Sequence, residues 1–165
     1  PISIVEVQAP YGYVLDETPV YFDVTEDNST EESGVTVVKV DKPNMAQKGT
    51  ITVEKTGEVF FGVSVIGGVD ESGNELPTIY QPQYEKGGLP GAVYEIIAAE
   101  DIITPDGTLR YAAGAVVDTV TTDETGLAES KPLYLGKYEI REITAPTGYV
   151  LYTEVHTAEI GRAHV

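Results

Sequence analysis

Cysteine and tryptophan are absent from this chain of 165 residues, and methionine occurs once. Without cysteine neither disulfides nor thiolate metal sites can form. An extracellular protein with this composition must resist unfolding and proteolysis by other means. Basic residues are also scarce: 10 Lys and Arg stand against 27 Asp and Glu, a formal net charge of −17. Nucleic acid and anionic membrane surfaces repel such a charge and are excluded as partners. No run is apolar and long enough to span a bilayer, and no signal peptide opens the chain. The opening Pro1-Ile2-Ser3-Ile4 reads as the middle of a strand, cut from something longer. G-x-S-x-G, H-E-x-x-H and P-loop motifs are all missing.

What is present points to β structure. The apolar fraction of 41% suffices for a core. Val, Thr, Ile and Tyr are plentiful, with Gly and Pro at short intervals. One element is written twice: V-E-V-Q-A-P-Y-G-Y-V-L at Val5 to Leu15, and R-E-I-T-A-P-T-G-Y-V-L at Arg141 to Leu151. Glu6, Ala9, Pro10, Gly12, Tyr13, Val14 and Leu15 recur at identical spacing as Glu142, Ala145, Pro146, Gly148, Tyr149, Val150 and Leu151. The repeat implies two successive domains, the first represented only by its C-terminal part.

Residues 1–45 are therefore expected to hold the end of a preceding repeat, with an acidic linker and a final strand. Residues 46–158 are expected to form a second β-sandwich lacking its last strand. Residues 159–165 are expected to be a non-native tail, because Glu159-Ile160-Gly161-Arg162-Ala163-His164-Val165 resembles translated sequencing adapter. The fold class is all-β: an Ig-like or prealbumin-like β-sandwich in tandem repeats, truncated at both ends. Thr25 to Gly34 is polar and acidic and reads as a solvated loop. It lacks the alternating ligands around a tight Gly turn that a Ca²⁺ loop needs. No metal and no cofactor is expected.

Short strands separated by turn signals fill the second domain. Thr50 to Lys55, Val59 to Ile66, Thr78 to Tyr84, Ala92 to Ala98, Ala115 to Thr121 and Tyr138 to Ile143 are the main ones, with a long hairpin loop at Gly67 to Asn74. Alternation then singles out two ionisable residues. Ile51 and Val53 define an apolar face on which Lys55 comes next; Tyr138 and Ile140 define one on which Glu142 comes next. Glu6 follows Ile2 and Ile4 in the same way. A charge aimed at a core is costly unless paired. Each residue either sits at a strand end and reaches water, or reacts.

K-G-T-I-T-V-E-K-T-G at Lys48 to Gly57, G-L-P-G-A-V-Y-E-I at Gly88 to Ile96, and L-Y-L-G-K-Y-E-I-R-E-I-T-A-P-T-G-Y-V-L at Leu133 to Leu151 together resemble the CnaB-type, or SpaA-like prealbumin-fold, repeats of Gram-positive surface proteins and pilins. That resemblance implies an internal isopeptide bond. A first-strand Lys joins a last-strand Asn or Asp, assisted by a buried Glu. Lys55 would be the nucleophile and Glu142 the assisting acid of the second repeat, with Glu6 in the same role in the preceding one. Desolvation favours a neutral amine beside a neutral acid, the state in which the amine can attack a carbonyl.

The partner of Lys55 is missing, since no Asn or Asp follows Gly148. In the preceding repeat Asp41 is the candidate acceptor, with Asn44 as an alternative; Asp41 equally fits a turn before Lys42-Pro43. The resemblance implies a secreted, cell-wall-associated stalk of an adhesin or pilin, with neighbouring repeats of the same polypeptide as partners. The only catalysis it implies is the intramolecular bond. The other reading is a module that binds a host or matrix protein through the Gly67 to Asn74 loop and the Thr78 to Tyr84 strand. A glycosidase is opposed by the resemblance, not by motif, because acid pairs are abundant.

Overall fold

The computed structural model describes residues 1–26, 30–32 and 34–161, with Glu31 and Glu32 described in backbone alone. Among these residues every regular element is a β-strand. β1 (Ile2–Ile4) pairs antiparallel with β2 (Val20–Phe22), and β3 (Thr30–Glu32) with β4 (Val35–Val37). β3 corrects the expectation of a solvated loop from Thr25 to Gly34 at Thr30 to Glu32; Asp27 to Ser29 and Ser33, which belong to that expectation, lie outside the described residues. A β-ladder is a backbone structure and needs no apolar anchor on both strands. The β-branched Val35-Thr36-Val37 supplies the propensity, and Gly34, at φ +78°, the left-handed turn residue between them.

The remaining elements form two layers. In one, β5 (Lys48–Gly49) and β6 (Thr52–Glu54) pair with β14 (Leu133–Tyr134) and β13 (Leu127–Glu129). Ser130 joins the two ladders: its hydroxyl accepts from the Ile51 amide at 2.9 Å and its own amide donates to the Ile51 carbonyl at 2.9 Å. The other layer is a four-stranded antiparallel sheet ordered β12 (Val116–Thr121), β9 (Val93–Ala98), β15 (Gly136–Thr144), β16 (His156–Ile160). A small hairpin of β10 (Ile102–Ile103) and β11 (Leu109–Tyr111) flanks them. The long ribbon of β7 (Thr56–Val69) and β8 (Glu75–Gly88) extends the strands expected from the sequence and shortens the loop to Asp70 through Asn74.

Alternate residues of β9 and β15 build the core. Tyr94, Ile96 and Ala98 join Tyr138 and Ile140 in one buried cluster with Ile51, Ala128 and Leu133 of the facing layer. Each fully buried large side chain contributes about 1.5–3 kcal/mol. Tyr138 is buried completely, and its hydroxyl donates to the Tyr134 carbonyl at 2.6 Å. Burial pushes this phenol up to about 12. Glu142 continues the core-facing row of β15.

The doubled motif has a counterpart in pairing register. Ile2 faces Phe22 and Ile4 faces Val20, while Tyr138 faces Ala158 and Ile140 faces His156. Each residue of the second hairpin stands 136 positions after its counterpart, the same offset as the sequence repeat. β16 thus corresponds to β2. It continues through Glu159 and Ile160, the first two residues of the stretch expected to be a non-native tail, and Ile160 packs against the core. Arg162 to Val165 lie outside the described residues.

Candidate functional site

Lys55 stands between β6 and β7, where its backbone is fixed from both sides. Its amide donates to the Gly126 carbonyl at 2.7 Å and its carbonyl accepts from the Leu89 amide at 2.9 Å. Gly126 permits that approach: it adopts φ +81°, and a Cβ there would lie 2.4 Å from the Lys55 carbonyl oxygen. The Lys55 side chain, 16% exposed, runs inward to place Nζ 2.9 Å from Oε1 of Glu142, whose side chain is wholly buried. Alternation along both strands brings this pair together.

Two tyrosines complete the pocket, and neither was expected from the sequence. The Tyr94 hydroxyl, cross-strand from Glu142, donates to Oε1 over 3.5 Å. Burial first, then the neighbouring Glu142 charge, raises the Tyr94 phenol to about 12. The backbone amide of Tyr152 donates to Glu142 Oε2 at 2.6 Å, and its ring lies 5.6 Å from Lys55 Nζ. That ring stacks on His156 at 5.8 Å. Glu142 therefore has a cation and a phenol on one oxygen and a backbone amide on the other.

The first copy repeats half of this arrangement. Glu6 Oε2 accepts from the Asp16 amide at 2.9 Å, and Asp16 is the positional counterpart of Tyr152. Where Glu142 meets an amine, Glu6 meets an amide. Asn44 Nδ2 donates to Glu6 Oε1 at 2.9 Å and Oε2 at 2.7 Å, and to the Val14 carbonyl at 3.0 Å. Asp41, the acceptor preferred from the sequence, points away: its side chain is 81% exposed and lies 3.4 Å from Lys39. Burial alternates along this segment, so Lys42 and Asn44 share the inner side and Asp41 takes the outer. Lys42 is half-buried and held by partners, its Nζ donating to the Thr18 carbonyl at 2.6 Å and lying 3.2 Å from Asp16 Oδ2. Hydrogen bonds from Thr18, with Lys42 adding to them, lower the Asp16 carboxyl to about 2.

The two sites are complementary halves. One holds a Lys amine and a Glu carboxyl, the other a Glu carboxyl and an Asn amide. Among the described residues no group of three or more His, Cys, Asp or Glu is disposed to hold a metal ion.

Comparison with known proteins agrees with this architecture. The SpaA prealbumin-like fold domain matches residues 81–165, just over half of the chain. The Bacillus anthracis TIE protein is similar in structure, with 29% identity and a TM-score of 0.52, over 96% of this chain and 22% of that one. The T6 backbone pilin of serotype M6 Streptococcus pyogenes is similar at 18% identity and a TM-score of 0.35, over 84% of this chain and 37% of that one. The chain thus spans well under half the length of either solved relative. No curated protein sequence matches it.

Proposed function

The chain belongs to the SpaA prealbumin-like fold family, and on that footing we propose that it is a spacer from the stalk of a cell-surface protein, built of tandem units that each close with a self-formed Lys–Asn amide. The observation that carries this reading is the pair of half-sites. Lys55 pairs with Glu142 and Asn44 with Glu6, and the two glutamates are counterparts under the repeat offset of 136 residues.

Combined in one unit, the three groups have a balanced reaction. The neutral Lys amine attacks the Asn side-chain carbonyl carbon, and a new C–N bond forms. The C–NH2 bond breaks, and the nitrogen leaves as ammonia with the proton surrendered by the attacking amine. The Glu carboxyl takes that proton and passes it to the leaving nitrogen. A dry site holds the groups in contact and supplies their effective concentration. Asn44 is the acceptor of the first unit on this reading, because it touches Glu6 and Asp41 does not. A covalent tie between the first and last segments of a unit suits a load-bearing stalk without cysteine, and the strong negative charge keeps neighbouring stalks apart. Attachment to the cell wall, and neighbouring units of the same polypeptide as partners, follow from this role.

A duplicated chain tests it. Residue 161 is the counterpart of residue 25 under the repeat offset, so residues 1–161 followed directly by residues 26–161 bring a second Asn44 to Lys55 and Glu142. Intact mass should fall by one ammonia, and Lys55→Ala or Glu142→Ala should restore the full mass. An unaltered mass in a folded duplicated chain would overturn the proposal.

The ribbon β7–β8 favours a second reading, a module that binds a host or matrix protein. Register sets Phe60 opposite Tyr84, Val63 opposite Pro82 and Val65 opposite Tyr80, and all six are exposed on one face. Its other face carries Ser64 and Gln83, hydrogen-bonded at 3.0 Å. Saturable binding of a soluble matrix protein, lost in Val65→Ser/Tyr80→Ser, would support this role; equal binding by that variant would remove the ribbon from it.

A further inference from the structure

The two copies of the A-P-x-G-Y turn have the same internal structure and differ in what covers the glycine and the backbone after it; Pro146 is buried and the Tyr149 hydroxyl donates to the Glu58 carbonyl at 2.6 Å. Tyr13 donates its amide to the Pro10 carbonyl at 3.2 Å, and Tyr149 donates to Pro146 at 3.0 Å. Gly12 and Gly148 both adopt left-handed φ, +79° and +87°. In the first copy the turn is covered. The Val14 amide donates to the Met45 carbonyl at 2.8 Å, the Gln47 amide donates to the Gly12 carbonyl at 2.7 Å, and Tyr13 bridges Ala46. Gly12 is buried against the β10–β11 turn so closely that a Cβ would lie 2.6 Å from Pro105 Cγ. In the second copy Gly148 is exposed, with nothing within 4 Å of a built Cβ. Val150 is 90% exposed where Val14 is 49%. Neither the Val150 amide nor the Gly148 carbonyl has a hydrogen-bond partner among the described residues.

We propose that Gly148–Tyr149–Val150 is a docking edge for a further unit of this same fold, which adds an extended segment equivalent to Met45–Gln47 and seats a turn equivalent to Thr104–Asp106 on Gly148. The joint between the two units of this chain is the pattern for it. Two backbone hydrogen bonds fix the register of the incoming segment, and the missing Cβ of the glycine lets the proline ring of the incoming turn close in. A joint made this way is stiff, because it grips both the linker and the body of the next unit. The turn is therefore the coupling between successive spacers. This inference rests on the tandem reading but not on the covalent bond.

The duplicated chain, residues 1–161 followed by 26–161, provides the test in its Lys55→Ala form, where no amide can form at the second site. Backbone hydrogen exchange is read at Val14 and Val150 of the same molecule, where Val150 and Gly148 denote the first of their two copies, the one followed by a further unit. Val150 should exchange unprotected in the single chain and be slowed in the duplicated chain at least tenfold, approaching Val14. Gly148→Ala in the duplicated chain should abolish the gain, because its methyl meets the incoming Pro105, while leaving Val14 unchanged. Protection of Val14 with fast exchange at Val150 in the duplicated chain would overturn the docking edge, whatever the mass of the Lys55-bearing form. Protection of Val150 that survives Gly148→Ala would overturn the glycine–proline contact and with it the proposed mode of seating.

Discussion

Replacing Lys55 by Met removes the cation from a carboxylate that has no exposed surface of its own. Met follows the same inward path and keeps the packing, so the variant isolates the charge. Stripping one partner from a buried ion pair costs about 3–5 kcal/mol, because the remaining charge keeps its desolvation penalty. The lower figure applies, since Lys55 is partly solvated and the Tyr152 amide still donates to Glu142 at 2.6 Å. In a chain of this size about 3 kcal/mol lowers Tm by on the order of 10 °C. Glu142→Gln keeps an acceptor for the Tyr152 amide and removes the charge that Met cannot satisfy. The double variant should therefore recover most of the loss, with a coupling energy on the order of 2–3 kcal/mol in a double-mutant cycle. The assay is urea unfolding followed by near-ultraviolet tyrosine signals, run on the single chain where Lys55 has no acceptor. Additive effects, with coupling below about 0.5 kcal/mol, would refute the view that the two groups form one buried unit.

Asn44→Asp should loosen the first unit more than Asn44→Ala, because it sets a second carboxylate against Glu6 where an amide now donates; exchange of the Asp16 amide reports it. Asp16 is held below its ordinary value, so its contribution is complete above the unfolded carboxyl range near pH 4 and is lost as pH falls toward 2. The Thr18 amide resonance should move through that window in the parent and not in Asp16→Asn. Tyr94 and Tyr138 are raised to about 12, so their contribution is complete below the free phenol range near pH 10 and is lost as pH rises toward 12. Ultraviolet titration should show these two ionising after most of the eleven tyrosines, and Tyr94→Phe should remove one late ionisation.

The Lys55–Glu142 pair was legible because a strand has a strict period of two: Glu142 continues an apolar row inside β15, and Lys55 continues one just past the end of β6. The repeat then exposed Glu6 without any structural information. Asn44 was harder: it lies beyond β4 in a segment that no regular ladder holds, so alternation could not be anchored and the Asp nearest the strand took precedence. Tyr152 contributes through its backbone amide, which carries no side-chain signature, although its place ten residues after Glu142 matches that of Asp16 after Glu6. Tyr94 depends on cross-strand register, which the chain settles only by folding. β4 falls in the final strand expected of residues 1–45, whereas β3 escaped notice because acidic composition argues for solvation and says nothing about a backbone ladder.

The duplicated chain carries the most direct test of the central claim. Intact mass after folding should be one ammonia below the sequence value, with Lys55 and the second Asn44 recovered as a single cross-linked peptide after proteolysis. A folded protein of unchanged mass, giving both residues in separate linear peptides, would contradict it.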